Sequence, residues 1–345
     1  MIIWAFAVVF AILLLFNLVG FIISAPKYKG PESDHFNGKV FTNPRGVKAK
    51  GLKDVIKWSR SRNRQPWKEL TNISFGPKPL NEIKVGVKVT FVNHSTFLIQ
   101  VKGVNILTDP IWSKRTSPVQ FAGPKRMRPP GILFDDLPRI DYVLLSHNHY
   151  DHLDKGTMKK LIKIHDPLII TPLGVGKFIQ RLGSRKVTDL DWWDEHEMVS
   201  SLKVASVPTQ HFSGRGTYDR DATLWCGYVI MDGRDNIYFA GDSGYGNFFE
   251  EIGSKYGKMK VSMIPIGAYL PRWFMSPIHI SPDEAVKVHR DVNSELSIAM
   301  HFGTFPLADD GQNQPIVELG NAVKAEGIDE HVFKVLNEGE SILVQ

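Results

Sequence analysis

Cysteine is almost absent: Cys226 is the only one in 345 residues. A single thiol excludes a disulfide framework and any Cys-rich zinc module. No sign of charge dominates either. Lys plus Arg is 42 against 36 Asp plus Glu, a net charge of +6. That mild excess suits an anionic membrane or substrate but is too weak for a nucleic-acid surface. Low-complexity tracts and short-period repeats are missing. With 43% hydrophobic and 23% charged residues, the composition excludes a largely disordered chain. In one stretch, Ile2 to Ile23, charge is lacking altogether.

That stretch is long. At about 1.5 Å per residue it spans roughly 33 Å, close to a bilayer's hydrocarbon thickness. No Lys or Arg precedes it, and Pro26 follows Ser24-Ala25, a poor context for cleavage of a signal peptide. No cysteine follows for lipidation. The reading is an uncleaved transmembrane anchor over residues 1–25, with Trp4 at one interface. Lys27, Lys29, Lys39, Arg45, Lys48, Lys50 and Lys53 follow it. The positive-inside tendency would keep the domain behind them in the cytoplasm.

Residues 26–84 read as an irregular approach segment, with a short helical stretch around Leu52–Arg60. From residue 85 the pattern becomes that of a folded domain running to residue 345. Val87–Val92 alternates apolar and polar, and Phe97–Val101 and Val104–Thr108 are joined by Lys102-Gly103 as a hairpin. Asp141–Ser146 and Leu168–Thr171 read as strands, and Gly156–Ile164 and Gly174–Leu182 as helices. The second half repeats the idea. Strands are expected at Leu202–Val207, Leu224–Ile230, Ile237–Ala240, Val261–Ile266 and Ser297–Met300. Helices are expected at Phe248–Tyr256, Pro282–Val292 and Gln314–Ala325. Two consecutive halves of this kind predict two mixed sheets packed together with helices outside.

The chemistry concentrates in Ser146-His147-Asn148-His149-Tyr150-Asp151-His152-Leu153-Asp154. Three histidines and an aspartate fall within six residues, directly after an apolar strand. Imidazole and carboxylate are ligands for zinc and similar metals. His147 and His149 are two apart and can face one metal, leaving Asp151 and His152 for a second. Three more candidates follow apolar strands: His211, Asp242 and His301. Any one alone would pass for a loop residue, but strand-end placement collects all seven on one rim.

This pattern resembles the metallo-β-lactamase fold superfamily over about residues 85–345. The resemblance implies an αββα sandwich with a dinuclear site along one edge. His147, His149 and His211 would hold the first metal, Asp151, His152 and His301 the second, and Asp242 would bridge them. Further motifs narrow the match: Thr108-Asp109-Pro110, Gly123-Pro124-Lys125-Arg126, Asp191-Trp192-Trp193, Gly241-Asp242-Ser243-Gly244-Tyr245, Arg272-Trp273-Phe274-Met275 and His301-Phe302-Gly303-Thr304-Phe305. These are similar to the N-acylphosphatidylethanolamine-hydrolysing phospholipase D family. That family implies a phospholipid substrate, a membrane as partner and two Zn²⁺ per chain, with Fe or Mn left open by the ligand mix. It implies substrate contacts at Tyr150 and His279. A homodimer stays open; nucleic acid is disfavoured.

The expected reaction is hydrolysis of N-acylphosphatidylethanolamine to N-acylethanolamine and phosphatidic acid, by a hydroxide bridging two metals. Asp242 would hold that nucleophile, and His279 would steady a phosphate oxygen or shuttle a proton. The bland reading of His279 is a loop histidine before a helix capped by Ser281. Asp109 is either an acceptor for a ligand-histidine N–H or a turn aspartate before Pro110. His94 is either such a supporting group or core. Phe248, Phe249, Tyr269, Trp273 and Phe274 line an acyl groove or pack as core. Lys125, Arg126 and Arg128 meet anionic headgroups or lie in a solvated loop. The rival function is another hydrolase of the same fold, acting on a lactone or a soluble phosphodiester.

Overall fold

The chain is seen in a computed structural model that describes residues 2–71 and 75–345. At its N-terminus the uncharged run is helical, α1 (Ile2–Ile23). The expectation of a spanning helix is met only in this respect. Among the described residues no helix is long and apolar enough to cross a membrane. The last turns of α1 also lie against the domain. The Tyr218 hydroxyl donates to Asn17 Oδ1 at 2.8 Å, and Phe21 meets the Tyr218 ring edge-on. Gly20 allows this approach, because a Cβ there would run into the Thr217 side chain.

The approach segment is ordered by packing rather than by regular structure. Phe36 and Phe41 are buried beside Leu224 and Trp225. Its helix α2 (Leu52–Arg60) is pinned by Trp58, which stacks on Phe274 at 4.7 Å and donates to Asp309 Oδ2 at 3.0 Å.

Two seven-stranded sheets follow. The first uses β1 (Val87–Asn93), β2 (Thr96–Val101), β3 (Val104–Thr108), β4 (Tyr142–Leu144), β5 (Leu168–Pro172) and β6 (Val187–Leu190) side by side. The second runs β7 (Glu195–Glu197), β8 (Lys203–Val207), β9 (Gly227–Met231), β10 (Asn236–Phe239), β11 (Met259–Pro265), β12 (Ser297–Met300) and β13 (Phe333–Lys334). The last strand, β14 (Ser341–Val344), returns to the first sheet beside β1. In each sheet antiparallel hairpins lead into three parallel steps: β3 to β6 in the first, β10 to β13 in the second. The β2–β3 turn sits at Lys102 (φ 49°) and Gly103 (φ 78°), the two left-handed positions that a tight hairpin turn requires.

Side-chain alternation sorts the layers. In β4, Tyr142 and Leu144 enter the core between the sheets, with Tyr228 and its ladder partner Phe239. Val143 points the other way, against Met158 and Leu161 of α3 (Lys155–Ile164) and Ile179 of α4 (Gly176–Arg181). The outer layer of the second sheet is α5 (Phe248–Tyr256), α7 (Pro282–Asp291) and α8 (Gln314–Ala325), while the short α6 (Arg272–Met275) packs apart from it with Trp58 and Phe212. The architecture is the expected αββα sandwich.

Departures from expectation have local causes. The strand expected from Leu224 starts only at Gly227. Leu224 N–H instead donates to Leu173 O and Cys226 N–H to Ser146 O, so 224–226 binds the first sheet's strand ends. β4 stops at Leu144 because Ser146 N–H turns to the Asp109 carboxylate. The edge strands β6, β7, β13 and β14 are additions to the expected set: Glu195-His196-Glu197 and Phe333-Lys334 carry no apolar run, whereas β14 does, in Ile342-Leu343-Val344.

Candidate metal centre

The loops after β4, β8, β10 and β12 open on one rim where the two sheets meet. They bring all seven expected ligand residues together, and nearly all are buried. One group is His147, His149 and His211. A second is Asp151, His152 and His301, joined by His94. Asp242 stands with His147 and His152, and also with His211 and His279. Within each group the donor atoms lie within 4.8 Å of one another. Asp242 Oδ2 is 3.1 Å from both His152 Nε2 and His301 Nε2. The same oxygen lies 3.8 Å from His211 Nε2 of the first group, so the carboxylate faces both.

Outer hydrogen bonds aim the histidines. Ser146 Oγ donates to Asp109 Oδ2 at 2.6 Å and so accepts from His147 Nδ1–H at 2.9 Å. His152 Nδ1–H donates to Asp109 Oδ2 at 2.7 Å, and His211 Nδ1–H to Ile278 O at 2.9 Å. Each bond fixes a tautomer and leaves the Nε2 lone pair facing inward. Asp109 is thus the supporting acceptor rather than a plain turn aspartate. Its own backbone is left-handed (φ 33°), as are those of His94 (φ 49°) and His301 (φ 60°). Gly241 (φ 62°) makes the turn that delivers Asp242, in a cranny where a Cβ would press on Cys226 O. Left-handed residues gathered at one place mark backbone held against its preference.

A divalent ion fits this donor set. His152 Nε2, His301 Nε2 and Asp242 Oδ1 are buried with no hydrogen-bond partner. Such orphans inside a polar cluster are costly unless something occupies the centre. Burial first, then neighbouring imidazoles, keep His147 well below its usual pKa. Burial likewise holds His149 and His211 down at about 3. They are neutral, as ligation demands. His152 and His301 go the other way. Burial pulls them down, but Asp242 and Asp151 more than reverse it; His152 rises well above its usual value and His301 to about 9. Burial would raise Asp151 and Asp242, yet His152 and His301 hold both well below the carboxylate range.

His279 reaches the cluster, with Nδ1 4.0 Å from Asp242 Oδ2 and no hydrogen-bond partner. It is no ordinary loop histidine. The helix after it begins with Ser281, whose N–H donates to Glu284 Oε2 at 2.9 Å. Tyr150 is half-buried, and its hydroxyl donates to Arg215 O at 2.9 Å. His94 Nε2 lies 3.1 Å from Asp151 Oδ2, so it is part of the site and not core.

Other expectations are corrected. Phe248 and Phe249 pack in the main core, as one of their two readings has it, and Tyr269 is 1% exposed; Phe248 also borders a cavity beside Trp192 and Tyr245. Phe274 is buried under Trp58, and only Trp273 is substantially exposed. Arg126 is buried, with its donors spent on Asn93 Oδ1, Ile111 O and Ser113 O. Arg128 contacts Asn313 and Glu338, and Lys125 pairs with Glu69. Arg215 gave no signal in the sequence. Its buried guanidinium lies 3.9 Å over the Tyr150 ring and donates to Asn148 O and Leu153 O, bracing the histidine loop from outside.

Comparison with known proteins agrees with this geometry. The family described as Beta-lactamase superfamily domain matches residues 104–302. The chain is 36% identical over 296 residues to "N-acyl-phosphatidylethanolamine-hydrolyzing phospholipase D 1" of Caenorhabditis elegans, covering 79% of this chain and 82% of that protein. It is 38% identical over 245 residues to an uncharacterised protein of Mycobacterium tuberculosis, covering 70% of this chain and 65% of that one. The metallo hydrolase Igni18 of Ignicoccus hospitalis superposes with a TM-score of 0.58 at 22% identity, over 76% of this chain and 99% of its own, a likeness of fold. The chain belongs to the metallo-β-lactamase superfamily, in its N-acylphosphatidylethanolamine-hydrolysing phospholipase D family.

Proposed function

We propose that the protein is a metal-dependent phosphodiesterase of the phospholipase D type. It cleaves N-acylphosphatidylethanolamine to N-acylethanolamine and phosphatidic acid. The observation that carries this reading is the buried cluster of inward-facing imidazoles around the Asp242 carboxylate, on a chain whose worm relative is named for that reaction. His147, His149 and His211 would hold one ion and Asp151, His152 and His301 the other, with Asp242 shared. Zn²⁺ suits this imidazole and carboxylate set best, and Fe or Mn are the alternatives. Two such ions supply Lewis acidity toward a phosphodiester oxygen and acidify water near neutral pH.

The chain's own residues do the rest. Asp242 orients the attacking water, and burial strips competing solvent from the phosphodiester. Burial also keeps His279 neutral, well below its usual pKa. A neutral imidazole with a free Nδ1 can hydrogen-bond a phosphate oxygen or relay a proton to the departing alkoxide. Tyr150, braced by Arg215, would form part of the wall that meets the substrate. A cavity of about 720 Å³ beside His211 and Phe212 is walled by Val40, Phe41, Val47 and Leu52, with Lys48, Lys50 and Arg220 among its polar residues. Its apolar lining suits an acyl chain, and its cations suit a phosphate.

Membrane attachment belongs to the same reading. α1 is uncharged over 22 residues, and Phe10, Leu14, Phe21 and Ile22 are exposed. The lysines after it favour a cytoplasmic domain. Removing residues 1–25 should lower membrane association yet leave turnover of detergent-dispersed lipid; full membrane retention would refute the anchor.

The deciding test is product analysis by mass spectrometry, with metal counted in the same sample. Phosphatidic acid plus N-acylethanolamine from protein carrying about two ions per chain supports the reading. A fully metallated protein that ignores the lipid but opens a lactone or a soluble phosphodiester moves the substrate to the rival hydrolase.

A further inference from the structure

Asn43 lies in the approach segment, more than a hundred residues before the histidine motif and outside the matched region 104–302. It is nevertheless 6% exposed and sits against His211. Its amide grips both backbone groups of that residue. Asn43 Oδ1 accepts His211 N–H at 2.8 Å, and Asn43 Nδ2 donates to His211 O at 2.8 Å. The side chain thus pairs with His211 as a neighbouring strand would, at a place where no strand runs. The same Oδ1 accepts Trp225 Nε1–H at 2.9 Å, and Nδ2 also donates to Val47 O at 3.0 Å. The amide is therefore fully engaged, and its orientation is fixed by its neighbours.

The segment that carries Asn43 is itself tied down on both sides of it. Phe41 N–H donates to Asp221 O at 2.7 Å, Tyr28 N–H donates to Ala222 O at 2.9 Å, and His35 Nε2 meets Asp191 Oδ1 at 2.7 Å. Farther along, Trp58 is anchored on Phe274 and Asp309. His211 is consequently held at three points. Asn43 fixes its peptide on either side, and Ile278 O fixes its ring. Its Nε2 faces inward, 3.2 Å from His149 Nδ1.

We infer that Asn43 is a positioning residue for the metal centre: the approach segment, through this amide, sets where His211 Nε2 stands relative to His147 and His149. The inference rests on the assignment of His211 as a ligand. Supporting partners of metal ligands commonly govern affinity by about 10- to 100-fold. A segment that merely filled space would alter stability and leave metal affinity alone.

The experiment compares full-length wild type, Asn43→Ala, Asn43→Asp and His211→Ala. Zn²⁺ affinity at each site is read by chelator competition, and Co²⁺ absorption reports ligand geometry. Thermal melting of the metal-free proteins is measured in parallel. Asn43→Ala is expected to weaken one of the two ions by about tenfold or more and to change the Co²⁺ spectrum, while the other ion keeps its affinity. Asn43→Asp keeps the acceptor for His211 N–H and Trp225 but places an acceptor against His211 O. It should show the same loss, and it decides the matter if the alanine variant does not fold. Two ions bound as tightly as in wild type, with an unchanged Co²⁺ spectrum, overturn the inference even if melting falls. If His211→Ala also binds both ions normally, the ligand assignment itself fails, and that result is distinct from failure at Asn43 alone.

Discussion

Single residues at this centre divide into those proposed to hold a metal and those that aim them. His147→Ala and Asp242→Ala should each abolish turnover, and circular dichroism should show the sheets intact. Near-normal activity in either variant would defeat the dinuclear mechanism. Asp109→Ala tests the aiming. It strips the acceptor from His152 Nδ1–H and from Ser146 N–H and Oγ–H. Metal affinity should fall about 10- to 100-fold, measured by metal content after dialysis against a weak chelator. Asp109→Asn keeps an acceptor and should lose less. At this scale the sequence was informative for a plain reason: ligand types packed into Ser146–Asp154 are improbable unless they serve a common purpose. Asp109 and His94 stood open because a turn aspartate and a core histidine look the same in sequence as supporting groups. Arg215 and Asn43 were invisible, since each acts on main-chain carbonyls or amides that only folding brings near.

At the scale of elements, the approach segment should behave as a strap whose closure depends on pH. His35 lies between Asp34 and Asp191 and stacks on Trp192 at 4.4 Å. Burial lowers its pKa, but the hydrogen bonds to Asp191 and Asp34 outweigh burial and leave it above the ordinary 6.5. A raised histidine stabilises the fold fully below its unfolded pKa and loses that contribution as pH rises through the folded one. The strap should therefore loosen on the alkaline side. The hydrogen-exchange protection factor of Phe41 N–H should fall as pH climbs past the His35 value. His35→Ala should have low protection throughout and no such step. A step of equal size in that variant would refute the latch. The sequence showed this region as irregular because its order comes from Phe36, Phe41 and Asn43 meeting residues near 211 and 225. No periodicity records contacts of that range. The regular helices and buried strands were legible because alternation and capping are local. The edge strands were not, since pairing alone defines them.

For the molecule as a whole, the two halves contribute the site jointly. The loop after β4 belongs to the first sheet, while His211, Asp242 and His301 belong to the second. Bound metal should thus tie the halves together. At ion concentrations a thousandfold above the dissociation constant, the stabilisation is about 4 kcal/mol. Chelation should lower the thermal midpoint accordingly, and re-addition of Zn²⁺ should restore it. A midpoint indifferent to chelator would mean the centre binds no ion tightly. The sandwich was readable from the repeated order of strands and helices. The way its rims face each other across the seam was supplied by the family resemblance, and spacing alone would not have given it.

The distribution of the ligands along the chain also sets an order of events during synthesis. His147, His149, Asp151 and His152 leave the ribosome well before His301, which lies 149 residues beyond His152. A nascent polypeptide holds half a centre, with no partner sheet to complete it. Metallation should therefore wait until the second sheet has folded against the first. A chain cut short before His301 should accordingly hold fewer ions than the whole one, as metal counting on the two would show.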